Sequence, residues 1–429
     1  MDFKLKTALA SLLLGAMPLL GGAAVKAEML TLESAVSTAL ASNPGLVAIQ
    51  ARADALAAIP SQVETLPDPR LMVNLVNLPL DNPSFTQEGM TQLQLGISQM
   101  LPYPGKLALR GEAATQEAQA ALSDVAERRL QLKRDTKIVW WNLFFLDRTL
   151  EINDRNREIL SQFVRVAETR YEVGQGLQQD VLLAQLELSQ LDDRDIQLHR
   201  LRESEVARLN TLLDRPASQP IQLPAKVDEQ LPALAVAAEL HQRAQSARPY
   251  LQAQGYRTQA ARTRINLAKK DYYPDFTLGA VYGLRDGSNP DGSSRSDFAT
   301  LQFSMNLPIF TDTKQDRALD QRTSEWLRQK YSLDDRRNAV ASEVNRAITD
   351  FRNSANQAAL FNKQIIPQAR QTVDSMLAGY QVGKVDFLNL VRSQTKLYNY
   401  ESDYWKALSA ANQALAKLAA AVGEEKIHE

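Results

Sequence analysis

The chain is written twice, and this duplication limits what it can fold into more than any other feature. Tyr171-Glu-Val-Gly174, followed by Asp180, Val181, Gln185 and Leu188, returns 209 residues later as Tyr380-Gln-Val-Gly383, followed by Asn389, Leu390, Gln394 and Leu397. Upstream, Ser98 with Leu101-Pro102 returns after 206 residues as Ser304 with Leu307-Pro308, and Pro67-Asp68 returns after 207 as Pro274-Asp275. Asn43-Pro44 with Leu46 matches Arg248-Pro249 with Leu251 after 205. Landmarks that keep their order and spacing over such a stretch describe a tandem copy of one unit, too long for a solenoid repeat. Composition sets the boundaries: residues 28–214 for the first copy, a Pro-rich linker over 215–234, the second copy over 235–423 and a short tail at 424–429. Whatever one copy builds, the fold contains twice.

Each copy has the same internal grammar. A helical stretch, Leu32 to Leu66 in the first and Ala235 to Asp271 in the second, is interrupted at Asn43-Pro44 and at Arg248-Pro249, because the residue before a proline is driven out of helix. The period then changes from 3.6 to 2. Gln92 to Ser98, Phe276 to Leu284 and Thr300 to Leu307 alternate apolar with polar or small residues, and Arg70 to Leu78 does so more roughly. This predicts four strands of about nine to eleven residues in two hairpins. They are joined by residues 79–89 and by the turn-rich 286–296. Next comes a rod: Lys106 to Tyr171 has no Pro, and Lys314 to Tyr380 has one, Pro367. At 1.5 Å per residue such a helix is about 100 Å long. Rods of this kind pack on other long helices in coiled-coil fashion. Each ends at Val-Gly, turns, and returns as a shorter helix, Asp180 to Leu213 and Phe387 to Val422.

Composition removes most functional classes. The 49 Lys and Arg against 50 Asp and Glu leave no basic surplus for nucleic acid. The absence of Cys excludes disulfides, thiolate metal sites, Cys nucleophiles and a lipoprotein anchor. His199, His241 and His428, far apart in sequence, make no metal or triad site, so neither an enzyme nor a cofactor is expected. The knot Trp140, Trp141, Phe144 and Phe145 has helical spacing and reads as packing, and Asp192-Asp193-Arg194-Asp195 reads as a solvated face. Residues 1–27 carry the pattern of a secretory signal peptide, with Lys4 and Lys6 before an apolar run and small residues at Val25-Lys26-Ala27. No later stretch has 18 consecutive apolar residues, so a membrane crossing would have to be made of strands. The strands themselves leave two readings, a small sheet with one wet face or part of a transmembrane barrel. Four strands cannot close a barrel, so the second reading needs several chains: two give eight strands and a filled interior, three give twelve and a passage.

The duplicated helix, hairpin, long helix and return helix resembles the TolC family of outer-membrane efflux channels. The likeness runs from Leu30 to Gly423 and is carried by Leu32-Glu-Ser-Ala-Val-Ser-Thr-Ala-Leu-Ala-Ser-Asn43-Pro44, Arg170-Tyr-Glu-Val-Gly174, Leu209-Asn-Thr-Leu-Leu213 and Gly379-Tyr-Gln-Val-Gly383. It implies a mainly α fold with a transmembrane β-barrel portion: a homotrimer with a twelve-stranded barrel among outer-membrane lipid and a twelve-helix tunnel through the periplasm. The partners it implies are a periplasmic adaptor and an inner-membrane efflux pump. Leu101-Pro-Tyr-Pro-Gly105-Lys106 is similar to the heavy-metal branch, served by RND-type pumps. The resemblance also assigns sites. Tyr171, Val173, Gly174, Tyr380, Val382 and Gly383 would form the tip that meets the adaptor. Carboxylates beyond the second turn would narrow the entrance, yet here Asp180 is matched by Asn389, with Arg392 three residues on and Asp386, also readable as a helix cap, before it. A neutral or basic constriction is therefore expected, with Arg392 either hydrated or paired to Asp180 or Asp386. The alternative is a periplasmic coiled-coil scaffold or adaptor, which would not carry two symmetric period-2 hairpins. The cargo is not legible.

Overall fold

A computed structural model of the chain describes residues 29–424 and Ile427. The expected leader, 1–27, and most of the tail lie outside the described residues. Three short helices come first: α1 (Leu32–Ser42), α2 (Pro44–Ala57) and α3 (Ile59–Glu64). The Thr31 hydroxyl accepts from the Ser34 N–H at 3.2 Å and caps α1. Asn43 ends α1 and caps α2 through its side-chain oxygen, 3.2 Å from the Leu46 N–H, with Pro44 at the first helical position where its missing N–H costs nothing. Strands β1 (Arg70–Val76) and β2 (Gln92–Leu101) follow, then α4 (Lys106–Glu172), a single helix of 67 residues, and α5 (Gln178–Leu212). The second copy repeats the series as α6 (Ala237–Ala247), α7 (Pro249–Lys270), β3 (Phe276–Leu284), β4 (Phe298–Met305), α8 (Asp316–Leu360), α9 (Ile366–Gln381) and α10 (Phe387–Val422).

Two differences from the sequence expectation have physical causes. Strand β1 has 7 residues, because Asn77 takes a left-handed φ of 54° and turns the chain early. The second rod is not one helix: π-helical turns occupy Thr311–Gln315 and Phe361–Ile365, and Pro367 opens α9 just after the second. Proline lacks the N–H that would continue the ladder and crowds the preceding turn, so the helix widens there. The Pro-free α4 stays unbroken.

The four strands form one antiparallel sheet in the order β1-β2-β3-β4, so the hairpins of the two copies are joined along β2 and β3. The result is a mixed fold of long helices and an open four-stranded sheet. The helical body is held by clusters along the rods. In the largest, Trp140 stacks on Phe144 at 5.5 Å and donates its indole N–H to the Leu30 carbonyl at 3.0 Å, while Trp405 of α10 meets Phe144 edge-on at 5.8 Å. The aromatic knot is thus packing between α4, α10 and the chain start. Where sheet meets rod, Gly105 at φ 89° turns the chain into α4 and the buried Lys106 ammonium sits 3.1 Å from Asp271 and 2.9 Å from Asp275. Tyr103 stacks on Tyr273 at 4.5 Å beside this pair. The seam between the copies is therefore fastened below the sheet by one buried cation and one aromatic stack.

Candidate functional site

The far end of the rods carries two hairpin turns, one per copy. In each, Val ends the helix and the next residue, Gly174 at φ 72° or Gly383 at φ 73°, enters the left-handed region where a Cβ is strained. The last carbonyls of the helix are satisfied by turn amides: Gly174 donates to Tyr171 at 3.0 Å, Gln175 and Gly176 to Arg170 at 2.8 and 2.9 Å, and Gly383 to Tyr380 at 3.0 Å. Both turns are thus built by one sequence rule, stated twice.

The turns are not equivalent once side chains are placed. Tyr171 is exposed, whereas its counterpart Tyr380 is buried, with its ring 5.0 Å from Phe387. Arg170 of the first turn reaches across to the second, donating to the carbonyl oxygens of Tyr380 and, at 3.3 Å, of Gln381. It covers the Tyr380 ring at 4.8 Å and donates back to the Gln175 carbonyl at 3.2 Å. The second copy has Gly379 where the first has Arg170, and a Cβ there would stand 2.5 Å from Val385 Cγ2. One arginine therefore straps the two turns together without a reciprocal strap. The sequence carried its signal as the point where the repeat breaks, but spacing alone gave Arg170 no role.

Of the other candidates, Asp180 is buried against this strap, its Oδ2 3.5 Å from the Tyr380 hydroxyl, the outer limit of a hydrogen bond. Burial first, and then the nearby Asp386 charge, hold its carboxyl above the ordinary value, and burial likewise pushes the Tyr380 hydroxyl up, so that it remains a donor. Asp386 stands at the N-cap of α10 but makes no side-chain cap hydrogen bond; its carbonyl accepts from the Asn389 N–H at 3.1 Å. Asn389 and Arg392 are exposed, and Arg392 makes no ion pair with Asp180 or Asp386. Val173 and Val382 are exposed at the turns, an apolar pair at the end of a charged rod.

The sheet at the other end is as one-sided as the turns are asymmetric. The register aligns Leu71, Ile97, Ala280 and Leu301 across one face, and Val73, Leu95, Tyr282 and Ala299 beside them. Most of these side chains are exposed, Leu301 at 89%. The opposite face carries Asn74, Gln94, Ser98, Thr277, Thr300 and Gln302, together with Arg70, Met72 and Phe298. Among the described residues no helix is long and apolar enough to cross a membrane, and no group of three or more His, Cys, Asp or Glu could hold a metal ion.

Comparison with known proteins agrees with this geometry. The family described as "Outer membrane efflux protein" matches residues 240–424, the second copy. The cobalt-zinc-cadmium resistance protein CzcC of Cupriavidus metallidurans is 21% identical over 390 residues, covering 90% of this chain and 88% of that protein. The solved outer-membrane channel OprN superposes with a TM-score of 0.77 at 20% identity, over 91% of this chain and 89% of its own. The outer-membrane protein VceC of Vibrio cholerae also gives 0.77, at 18% identity, over 92% and 96%.

Proposed function

We propose that this chain, a member of the TolC family of outer-membrane efflux channels, works as a homotrimer whose twelve strands close a barrel and whose rods close a tunnel into the periplasm. The chain is a passive outer-membrane component of an efflux system and has no enzymatic role. The observation that carries the trimer is the sheet: one face is apolar and exposed, and β1 and β4 each end in an unpaired edge. In lipid an unpaired backbone edge is too costly to stand, so other copies must complete it. Two copies would give a plugged barrel of eight strands; three give a passage. Mass measured by light scattering on the detergent-extracted protein is expected to be that of three chains, and a well-behaved monomer would overturn the proposal.

At the other end, the exposed Tyr171, Val173 and Val382 offer a small apolar surface beside Gly174 and Gly383, suited to the helical hairpin of a periplasmic adaptor, with buried Tyr380 supporting it from beneath. The adaptor would connect the channel to an inner-membrane pump of the RND type. The likeness to a cobalt-zinc-cadmium resistance protein and the Leu101-Pro-Tyr-Pro-Gly105-Lys106 segment support the heavy-metal branch. Hard divalent cations want several oxygen ligands, usually including carboxylates, and exposed Asn389 and Arg392 supply no carboxylate. In planar-bilayer recordings, millimolar divalent cations on the periplasmic side should block little, and Asn389→Asp with Arg392→Asp should create sensitivity. Strong block of the native channel, abolished by Asp386→Asn, would show that Asp386 supplies a ring after all.

A further inference from the structure

The two copies share a rule that fixes how separate chains meet. Shifting the observed pair Arg70↔Ser98 of the first hairpin by 207 and 206 residues lands on Thr277↔Ser304, itself an observed pair of the second hairpin. Leu71↔Ile97 likewise lands on Leu278↔Phe303. The shifts come from Pro67-Asp68 and Leu101-Pro102, outside the hairpin pairing, and they reproduce its register without adjustment. The copies are thus superposable strand by strand.

The seam between the copies, β2 against β3, has only one counterpart in a closed ring, β4 of one chain against β1 of the next. Resting on the trimer proposed above, we infer that this inter-chain seam repeats the internal register, pairing Gln302 with Asn74, Ser304 with Met72 and Phe303 with Val73 of the neighbouring copy. The internal pairs Gly96↔Val281, Ser98↔Gly279 and Ile97↔Ala280 generate these under the same shifts. The faces agree. Phe303 and Val73 are both exposed and apolar, while Gln302 and Asn74 lie on the polar side. A slip of one residue would put an apolar row against a polar one on both faces.

The rule also identifies what replaces the internal fastening below the sheet. Tyr103 on Tyr273 becomes Ile309 against Leu66, side chains left 71% and 46% exposed in one chain. The buried Lys106 has no such replacement, since the shift lands on Asp312. Under the same shifts its partners Asp271 and Asp275 land on Glu64 and Asp68, so beside the Ile309–Leu66 contact the seam between chains carries carboxylates where the seam within each chain has a buried ion pair.

Because the chain has no Cys, thiol pairs report this seam without background. Within one chain Asn74 and Gln302 lie on the outermost strands of four, about 14 Å apart across the strands and four residues apart along them, beyond disulfide reach. Oxidation of the Asn74→Cys, Gln302→Cys protein in membranes should give a covalent trimer on denaturing gels, as should Met72→Cys with Ser304→Cys. Arg70→Cys with Gln302→Cys, four residues out of register, should stay monomeric. Cross-linking of the third pair, or of none, in protein whose light-scattering mass is three chains would overturn the register and leave the trimer standing. A mass other than three chains would overturn the trimer itself.

Discussion

Gly383→Val is expected to abolish export while the protein reaches the outer membrane as a normal trimer. Gly383 sits at φ 73°, where a residue with a Cβ costs about 1–2 kcal/mol and a β-branched one more. A Cβ there would also stand 3.4 Å from Arg170 Nη2, the group that straps the two turns, so the γ-methyls of Val add crowding beside the strap to the backbone strain. Gly174→Val shares the backbone cost, at φ 72°, but its Cβ would meet nothing within 4 Å. Its defect should be the smaller of the two. Asn tolerates the left-handed region, so Gly383→Asn should retain more export than Gly383→Val. The sheet is about 100 Å away along the rod, which is why the trimer is spared. Tolerance to the pump's toxic cargo, measured in a host lacking its own channel and set against trimer recovered from the outer membrane, gives both quantities. Normal export by Gly383→Val would remove these turns from adaptor docking.

The turns were legible because a helix that must reverse needs a positive φ, and Gly after Val stands at that place in both copies. The strands were legible for a similar reason, since a period of 2 is local. Two things were not. One is the junction of β2 with β3, which no local pattern specifies although it makes a single sheet of two hairpins. The other is the pair of arginines that bind elements remote in sequence: Arg170, whose partners Tyr380 and Gln381 are more than 200 residues away, and Arg248, whose partner Glu127 is 121 away. An arginine on a helix reads as surface until its partner is known. The π turn before Pro367 lies between these cases, because the proline announces a break but not the way the helix absorbs it.

Arg248→Met should be the most destabilising single change outside the aromatic core. Arg248 matches Asn43 of the first copy, and both precede a proline that opens a helix, but they work differently. Asn43 caps α2, whereas the Arg248 side chain makes no cap and turns inward. There its Nη2 meets Glu127 of α4 at 3.1 Å, and its Nη1 meets Glu343 of α8 at 2.5 Å and the Ala421 carbonyl of α10 at 3.3 Å. Burial works against its charge, but Glu127 and Glu343 outweigh it, and the guanidinium is held more firmly charged than in water. Glu343 is partly exposed and can turn to solvent; Glu127 is buried and cannot. Removing the guanidinium leaves Glu127 as an uncompensated buried charge, which costs about 3–5 kcal/mol. Removing both members of the pair should cost much less, because an apolar pair of similar volume needs no compensation. Urea unfolding of the solubilised trimer is therefore expected to show a large loss for Arg248→Met and substantial recovery in Arg248→Met, Glu127→Met. A surface control, Arg317→Met, breaks the exposed pair with Asp320 and should change little. Equal losses in the single and double variants would mean that Arg248 acts through its packing on Tyr250, 5.6 Å from the guanidinium, and not through the buried charge.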